Sequence, residues 1–515
     1  MNKIVFTAVM MAMTLTATSC QTPPKFFERS RNPASTQELF TGASKVLADL
    51  NDTSVFNAQT CASYINGVTD YLYGASSDYF VPKTEAEKAY LKANGVELLK
   101  SLFQVRVTLR EKYQGFDERN ELTEACMLKV REGIQYSRIT EEYLLEWLVH
   151  NKVVDVRTPK ILEADPIYTM TNPKFEGFSL QTGDLMVVRG KSYVSAMIAR
   201  IADEEGNFSH LAIVGEDKAG KKYVVESLIQ TGIIITPLEK WVAAQDARVA
   251  LYRAKDADLA KRAGKAMYDY AYNGIKKNGE IRYDFAMNDS NYSDGFFCSE
   301  VGKYAYDKAS NGQFIVPKFR SSVRKFKNTE YPASLGVTSK TLFAPFDIEA
   351  DPRFDFVAEY KYYPLLRQVR MQDAVMQSVY GWMIDKNYEF HWSLSSSGKA
   401  YLGKFLRQFG LVKDILPKYM PIQTLRTTAQ FEAVATTLEK NIYAKEDAYY
   451  KEHGYLPTFR DLTAMNDDYR KQDCKLHKEY IESQNSPFGH GEGSSRPSDQ
   501  SKFHWFFYSK SKSCE

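Results

Sequence analysis

Apolar residues recur at spacings of three and four through the first third of the chain, so this part reads as helical. The segment from Glu85-Ala86-Glu87 to Leu109 keeps that spacing, and Thr140 to Leu148 repeats it behind Thr140, which reads as a capping residue. Residues 41–165 are therefore expected to form a helical domain. From about residue 175 the pattern changes to short β-branched runs: Leu185–Val188, Leu211–Val214, Tyr223–Glu226, Ile233–Thr236 and Val249–Tyr252, punctuated by Gly, Lys and Asp. Helical patterns over Asp256–Tyr272 and Ser299–Lys308 follow, giving an α+β block over 175–335. A loop-rich stretch after Pro332 leads to a strand at Phe354–Tyr360. The rest of 340–515 is mostly helical until Ser486–Ser495, which is composed like a flexible loop. No internal repeat is visible.

The first twenty residues follow neither pattern. Lys3 precedes the apolar run Ile4–Leu15, which is too short to span a bilayer, and Ala17-Thr18-Ser19 lead into Cys20. Small residues directly before such a cysteine resemble a bacterial lipoprotein signal, with Ala17 where the usual Leu would stand. That resemblance implies a signal peptide over 1–20, lipidation of Cys20 and a Pro-containing tether over 21–40. The remainder would then be held by lipid at a membrane, facing the periplasm or the cell surface.

The chain has 515 residues, 44% hydrophobic and 25% charged, which fits a folded protein of about three domains. Sixty-seven basic against 64 acidic residues, spread evenly, give no nucleic-acid footprint. The six cysteines become informative once export is considered. With Cys20 lipidated, five remain: Cys61 and Cys126 flank one helical region, and Cys474 and Cys514 lie near one end, so each pair can close locally as a disulfide. Cys298 is left over, either as a buried free thiol or as a reactive nucleophile.

Three motifs carry less than they promise. Gly215-Glu216-Asp217-Lys218-Ala219-Gly220-Lys221 matches most of a phosphate-binding loop, but Lys222 replaces the magnesium-binding hydroxyl and a strand follows, so a hairpin turn is expected. Ser396-Ser397-Gly398-Lys399 has Ser-x-x-Lys spacing without partner motifs and reads as a helix cap. His490-Gly491-Glu492, in a Gly/Ser loop, reads as solvated; no metal or cofactor is expected.

The strongest constellation lies in the α+β block. His210 begins one strand and Glu226 ends the next, sixteen residues on, with turn chemistry centred near Lys218. A hairpin about that centre places the two opposite one another on one face, within reach of a carboxylate–imidazole hydrogen bond that fixes the tautomer and supports an imidazolium. Phe296-Phe297-Cys298-Ser299-Glu300-Val301 places Cys298 at the start of an amphipathic helix, where the helix dipole and a nearby imidazolium favour the thiolate. Taken singly each residue also has a structural use; together they suit a Cys-His-Glu hydrolase.

With Gly183-Asp184-Leu185, Ser209–Val214, Val224–Ser227, Tyr283-Asp284-Phe285 and Phe297–Val301, the block resembles the circularly permuted NlpC-type papain-like family, the YiiX-like amidases. The order His, Glu, Tyr, Cys is that of the permuted branch. The resemblance covers residues 175–330, does not reach the helical flanks, and implies a permuted papain-like domain between N- and C-terminal helical regions. It implies Cys298 as nucleophile, His210 as base, Glu226 as the orienting third residue and Tyr283 as an oxyanion or substrate contact. Gly302 departs from the family, standing where an apolar residue is usual, and Lys276–Gly279 carries no family signal. The expected activity is cleavage of an amide or ester through a thioacyl-enzyme, on a cell-wall peptide, an N-acyl compound or an acyl lipid. An acyltransferase, similar in layout to lecithin retinol acyltransferase, and a non-catalytic ligand-binding lipoprotein are the alternatives.

Overall fold

The computed structural model describes residues 35–70, 82–155, 167–391, 419–485, 503–509 and 514, apart from 245, 288–291, 293–294, 328–329 and 338. The leader with Cys20, most of the tether, the Ser396–Lys399 motif and His490-Gly491-Glu492 lie outside the described residues.

The N-terminal part is helical: α1 (Thr36–Asn51), α2 (Cys61–Val68), α3 (Glu85–Glu118) and α4 (Glu124–His150). α3 opens with a reciprocal cap in which Thr84 accepts from the Glu87 amide while the Glu87 carboxylate accepts from the Thr84 amide. Thr140 caps nothing. It lies buried inside α4, whose cap is Thr123, because no breaker separates Glu124 from Leu148. A disulfide joins Cys61 of α2 to Cys126 of α4.

The centre is a seven-stranded antiparallel sheet in the order β1-β9-β6-β2-β3-β4-β5. Its strands are β1 (Ile167–Thr171), β2 (Leu185–Arg189), β3 (His210–Glu216), β4 (Lys222–Leu228), β5 (Gly232–Pro237), β6 (Arg248–Ala254) and β9 (Phe354–Tyr362); the short separate pair β7 (Ser321–Ser322) with β8 (Thr341–Leu342) falls between β6 and β9 in the chain. β2 to β6 lie on the five β-branched runs. Period-two alternation divides the side chains between two faces. One face carries Leu185, Val187, Leu211, Ile213, Val225, Ala250 and Tyr252 into the large core. The other carries Met186, Val188, Ala212, Val214, Val224, Val249 and Leu251 into a smaller cluster closed by Trp241 and Val242 of the short α6 (Leu238–Val242).

The short α5 (Tyr193–Arg200) follows β2, α7 (Ala257–Asn278) and α8 (Glu300–Ser310) pack on the large-core face, and the short α9 (Glu330–Ser334) comes before β9. α7 starts at Asp256, whose carboxylate caps the Leu259 amide, and ends at Gly279 with φ of 79°. It buries Leu259, Ala263, Met267 and Ala271, an i, i+4 stripe. The departure at Gly302 has a packing reason: a Cβ there would lie 3.0 Å from the Leu211 side chain, so glycine lets α8 approach the sheet.

α3 and α4 cover β6 and β9 on this same face through charges. Arg106 bridges Glu141 and Glu359 at 2.7 Å each, Arg138 bridges Glu359 at 3.0 Å and Glu349 at 2.6 Å, and Lys361 meets Glu359 at 2.9 Å. Arg248 meets Glu142 at 2.6 Å. All eight side chains are buried, four cations against four carboxylates, which is the only arrangement that makes such burial tolerable.

Beyond β9, α10 (Tyr363–Asp385), α11 (Ile422–His453) and α12 (Phe459–Asn485) form the C-terminal helical region. A disulfide joins Cys474 of α12 to Cys514. A short antiparallel pair, β10 (Tyr388–Phe390) with β11 (Phe507–Ser509), interrupts the expected helices. No helix among the described residues is long and apolar enough to cross a membrane.

Candidate active site

The hairpin that carries His210 and Glu226 turns through residues 217–221. There the Asp217 carboxylate accepts from the Ala219 and Lys221 amides and Gly220 takes φ of 83°. The phosphate-loop lookalike is thus a β-turn between two strands, with no helix behind it. The register pairs Glu216 with Lys222 and Ala212 with Glu226, which centres the hairpin on Ala219 rather than Lys218. Glu226 is therefore not directly opposite His210 but two residues along, still on the same face by alternation. Diagonal neighbours remain within reach of a long side chain, and Nε2 of His210 lies 2.7 Å from Oε2 of Glu226.

Cys298 arrives from the other side of the sheet. It sits just before Ser299, the residue that precedes α8, and its turn is fixed by two contacts. The buried Glu300 carboxylate accepts the Phe297 amide at 2.9 Å, and Ser227 Oγ donates to the Phe296 carbonyl at 2.6 Å. Cys298 is 5% exposed, its thiol lies 3.9 Å from the Ser209 carbonyl, and it interacts electrostatically with His210. Since Nε2 serves Glu226, the nitrogen left for Cys298 is Nδ1. Burial disfavours the His210 imidazolium, but the interactions with Cys298 and Glu226, and the charges of both, outweigh burial and raise it to about 10.

Tyr283 completes the group. Its segment is held edge-on: Phe296 N–H donates to the Arg282 carbonyl at 3.0 Å, Asp284 N–H to the Phe296 carbonyl at 3.2 Å, and Ile233 N–H to the Ile281 carbonyl at 2.9 Å. Gly232, at φ of 75°, permits that last approach, since a Cβ there would lie 1.9 Å from the Ile281 oxygen. Burial, followed by the Cys298 charge, raises the Tyr283 hydroxyl well above an ordinary phenol, and Tyr283 interacts with both the backbone and the side chain of Cys298. A protonated hydroxyl beside a backbone N–H is the donor pair that a tetrahedral oxyanion needs.

Of the sequence-derived candidates, Cys298, His210, Glu226 and Tyr283 come together. Cys61, Cys126, Cys474 and Cys514 sit apart, in the two disulfides, and among the described cysteines Cys298 alone is unpaired. Volume does not mark the site. A cavity of about 760 Å³ lies between α4, residues 203–205 and Phe459, and one of about 1120 Å³ lies between α7 and Arg282; neither is lined by Cys298, His210 or Glu226. Among the described residues no group of three or more His, Cys, Asp or Glu is arranged to hold a metal.

Sequence reasoning missed Asp246 and Tyr360. Asp246 lies in the turn before β6 and Tyr360 near the end of β9, and each is brought to the His210 side of the sheet only by long-range strand pairing.

Residues 179–335 match the family described as permuted papain-like amidase enzymes, YaeF/YiiX, C92. No curated protein matches the chain. The permuted order seen in the sequence, the thiol–imidazole–carboxylate grouping and the matched segment agree, and on those grounds the 179–335 domain belongs to the permuted papain-like amidases, a family of cysteine hydrolases.

Proposed function

We propose that this enzyme cleaves an amide through a thioacyl intermediate on Cys298. The observation that carries the reading is the convergence of a buried Cys298 and Tyr283 on His210, whose Nε2 is hydrogen-bonded to Glu226 at 2.7 Å and whose charge interacts with Cys298. His210 takes the thiol proton, and the thiolate attacks the carbonyl carbon. The resulting oxyanion is held by the Cys298 N–H and the Tyr283 hydroxyl. As the C–N bond breaks, the imidazolium gives its proton to the leaving amine. A water molecule, deprotonated by His210, then attacks the thioester, releasing the acid and restoring the thiolate. Glu226 keeps the imidazole oriented and favours its charged form.

The proposal extends to location and substrate. The leader pattern ending at Cys20 supports an exported, lipid-anchored protein, and the two disulfides suit an oxidising compartment. A membrane-tethered amidase in that compartment meets cell-wall peptides and N-acylated compounds, which are the substrate classes proposed here.

The test uses the soluble form lacking residues 1–20, labelled with iodoacetamide from pH 5 to 9 and mapped by mass spectrometry, alongside His210→Ala. The expected result is selective labelling of Cys298 below pH 7 that collapses in the variant. Slow labelling indifferent to His210 would remove the mechanism.

A further inference from the structure

The face that carries His210 and Glu226 has polar groups that the mechanism does not use. Strand registers align one transverse row on this face: Thr169 pairs with Tyr360, Tyr360 with Val249, Val249 with Val188, and Val188 with His210. The Tyr360 hydroxyl in that row is fully buried in a residue only 8% exposed, yet among the described residues no group bonds to it, and the neighbouring Thr169 hydroxyl is equally without a partner there. Over this row stands Asp246, half-buried, with its carboxylate against the Gly190 turn. It interacts electrostatically with His210, Glu226, Lys191 and Tyr360, but has no hydrogen bond or ion pair among the described residues. Burial pushes the Asp246 carboxyl up to about 6, with His210 drawing it down, Glu226 pushing it up and Lys191 drawing it down.

Leaving buried polar atoms unpaired costs free energy that native proteins avoid unless another molecule completes them. Near neutral pH an ionised carboxylate only accepts hydrogen bonds, and the Glu226 carboxylate beside it makes the place more negative still. We propose that Asp246 and Tyr360, with Thr169 at its edge, form a specificity-determining subsite that receives a hydrogen-bond-donating group of the substrate next to the scissile bond. The inference rests on Cys298 being the nucleophile, and it adds a role for the flanks. Thr169 on β1 and Tyr360 on β9 lie outside the 179–335 amidase segment, so regions beyond the matched segment would supply part of this subsite.

Three chloroacetamides of similar size test this, bearing 2-aminoethyl, carbamoylmethyl or n-propyl on nitrogen. Each alkylates Cys298 by thiolate displacement of chloride, forming the S–C bond as the C–Cl bond breaks. Rates are read at pH 9, where an ordinary thiol of pKa about 8.5 is already ionised, so the ratios report the subsite whether or not His210 activates Cys298. Iodoacetamide, which has no nitrogen substituent, normalises each variant's own thiol reactivity, and its pH profile reports separately on the proposed mechanism. The full-length protein is expected to favour at least one donor-bearing probe over n-propyl by about tenfold. Asp246→Asn and Tyr360→Phe, each retaining the native circular dichroism spectrum, are expected to reduce that preference to about threefold or less. A preference for aminoethyl alone would assign a charged donor; preference for both would assign donors in general. Equal rates for all three probes, as expected if only water fills the row, would overturn the proposal, and so would a preference that survives both substitutions.

Discussion

On the helix-covered face of the sheet, Glu359 touches Arg106, Arg138 and Lys361. On the opposite face, one residue further along the same strand, the Tyr360 hydroxyl has no hydrogen-bond partner among the described residues. These two buried neighbours on one strand differ in how their polar atoms are completed. Burial alone would push Glu359 up, but Arg106, Arg138 and Lys361 hold it well below the usual carboxylate range. On the other face the His210–Glu226 pair retains a ring nitrogen for Cys298, and Asp246 has no ion-pair partner. A buried charge closed on all sides welds elements together; one left partly open is available to chemistry. The comparison separates structural from functional charge without reference to which cavity is larger.

The sharpest way to break this contrast is to open the closed side. Glu359→Gln leaves Arg106 and Arg138 short of one buried counter-charge and is expected to cost about 3–5 kcal/mol, read from urea unfolding of the disulfide-intact protein. Because Glu359 lies between helical module and sheet, the loss is expected as one cooperative transition at lower urea, without a separate early unfolding of residues 35–155. An unchanged midpoint would show that the ion pairs are not what binds the helices to the sheet.

The same substitution on the open side is expected to act on catalysis. Glu226→Gln keeps a hydrogen bond to His210 but removes the charge. The expected result is a fall in kcat/KM for amide cleavage of about 10²-fold, within the range attributed to positioned acid–base groups, with the unfolding midpoint moving far less than in Glu359→Gln. A large loss of stability with kcat/KM preserved would place Glu226 with the structural charges.

How far the sequence itself revealed the two faces depends on the range of the interactions. Strands β2 to β6 were legible because β-branched residues mark them locally, and the Asp256 cap and Gly279 stop of α7 are equally local, although the helix runs on past Tyr272. Cys298, His210, Glu226 and Tyr283 were legible because their motifs are short and their order is distinctive. The exact opposition of His210 and Glu226 failed by two residues, since a loop centre guessed from Gly and Lys does not fix which pair closes a five-residue turn. β10 with β11 joins residues more than a hundred positions apart, and three-residue strands carry too few alternations to be seen. Arg106, Arg138 and Glu141 sit in helices whose charges are evenly spread, and nothing in their spacing distinguishes a buried charge from a solvated one. Asp246 and Tyr360 were invisible for a related reason. Their meeting depends on the β6–β9 register, which is shifted by an irregularity between Leu251 and Tyr252.

The smallest expected effect, and the most direct measure of what an incompletely closed charge does, is the pH dependence of the open side. His210 is raised from 6.5 in the unfolded chain to about 10 in the fold, because its interactions with Cys298 and Glu226 outweigh burial. A raised imidazole stabilises the fold fully below about pH 6.5, and this contribution is lost as pH rises through about 10. Catalysis has the same upper boundary, since the leaving amine takes its proton from the imidazolium. The alkaline limb of kcat/KM is therefore expected near pH 10 rather than near 6.5, and Glu226→Gln is expected to move it down by about one unit or more. Thermal unfolding should follow the same boundary, with the difference in Tm between wild type and His210→Gln narrowing from pH 7 to pH 10. A wild-type limb already falling near pH 6.5, unmoved by Glu226→Gln, would mean that Glu226 does not hold the proton on His210. The contrast between the faces would then reduce to one of burial rather than of unfinished pairing.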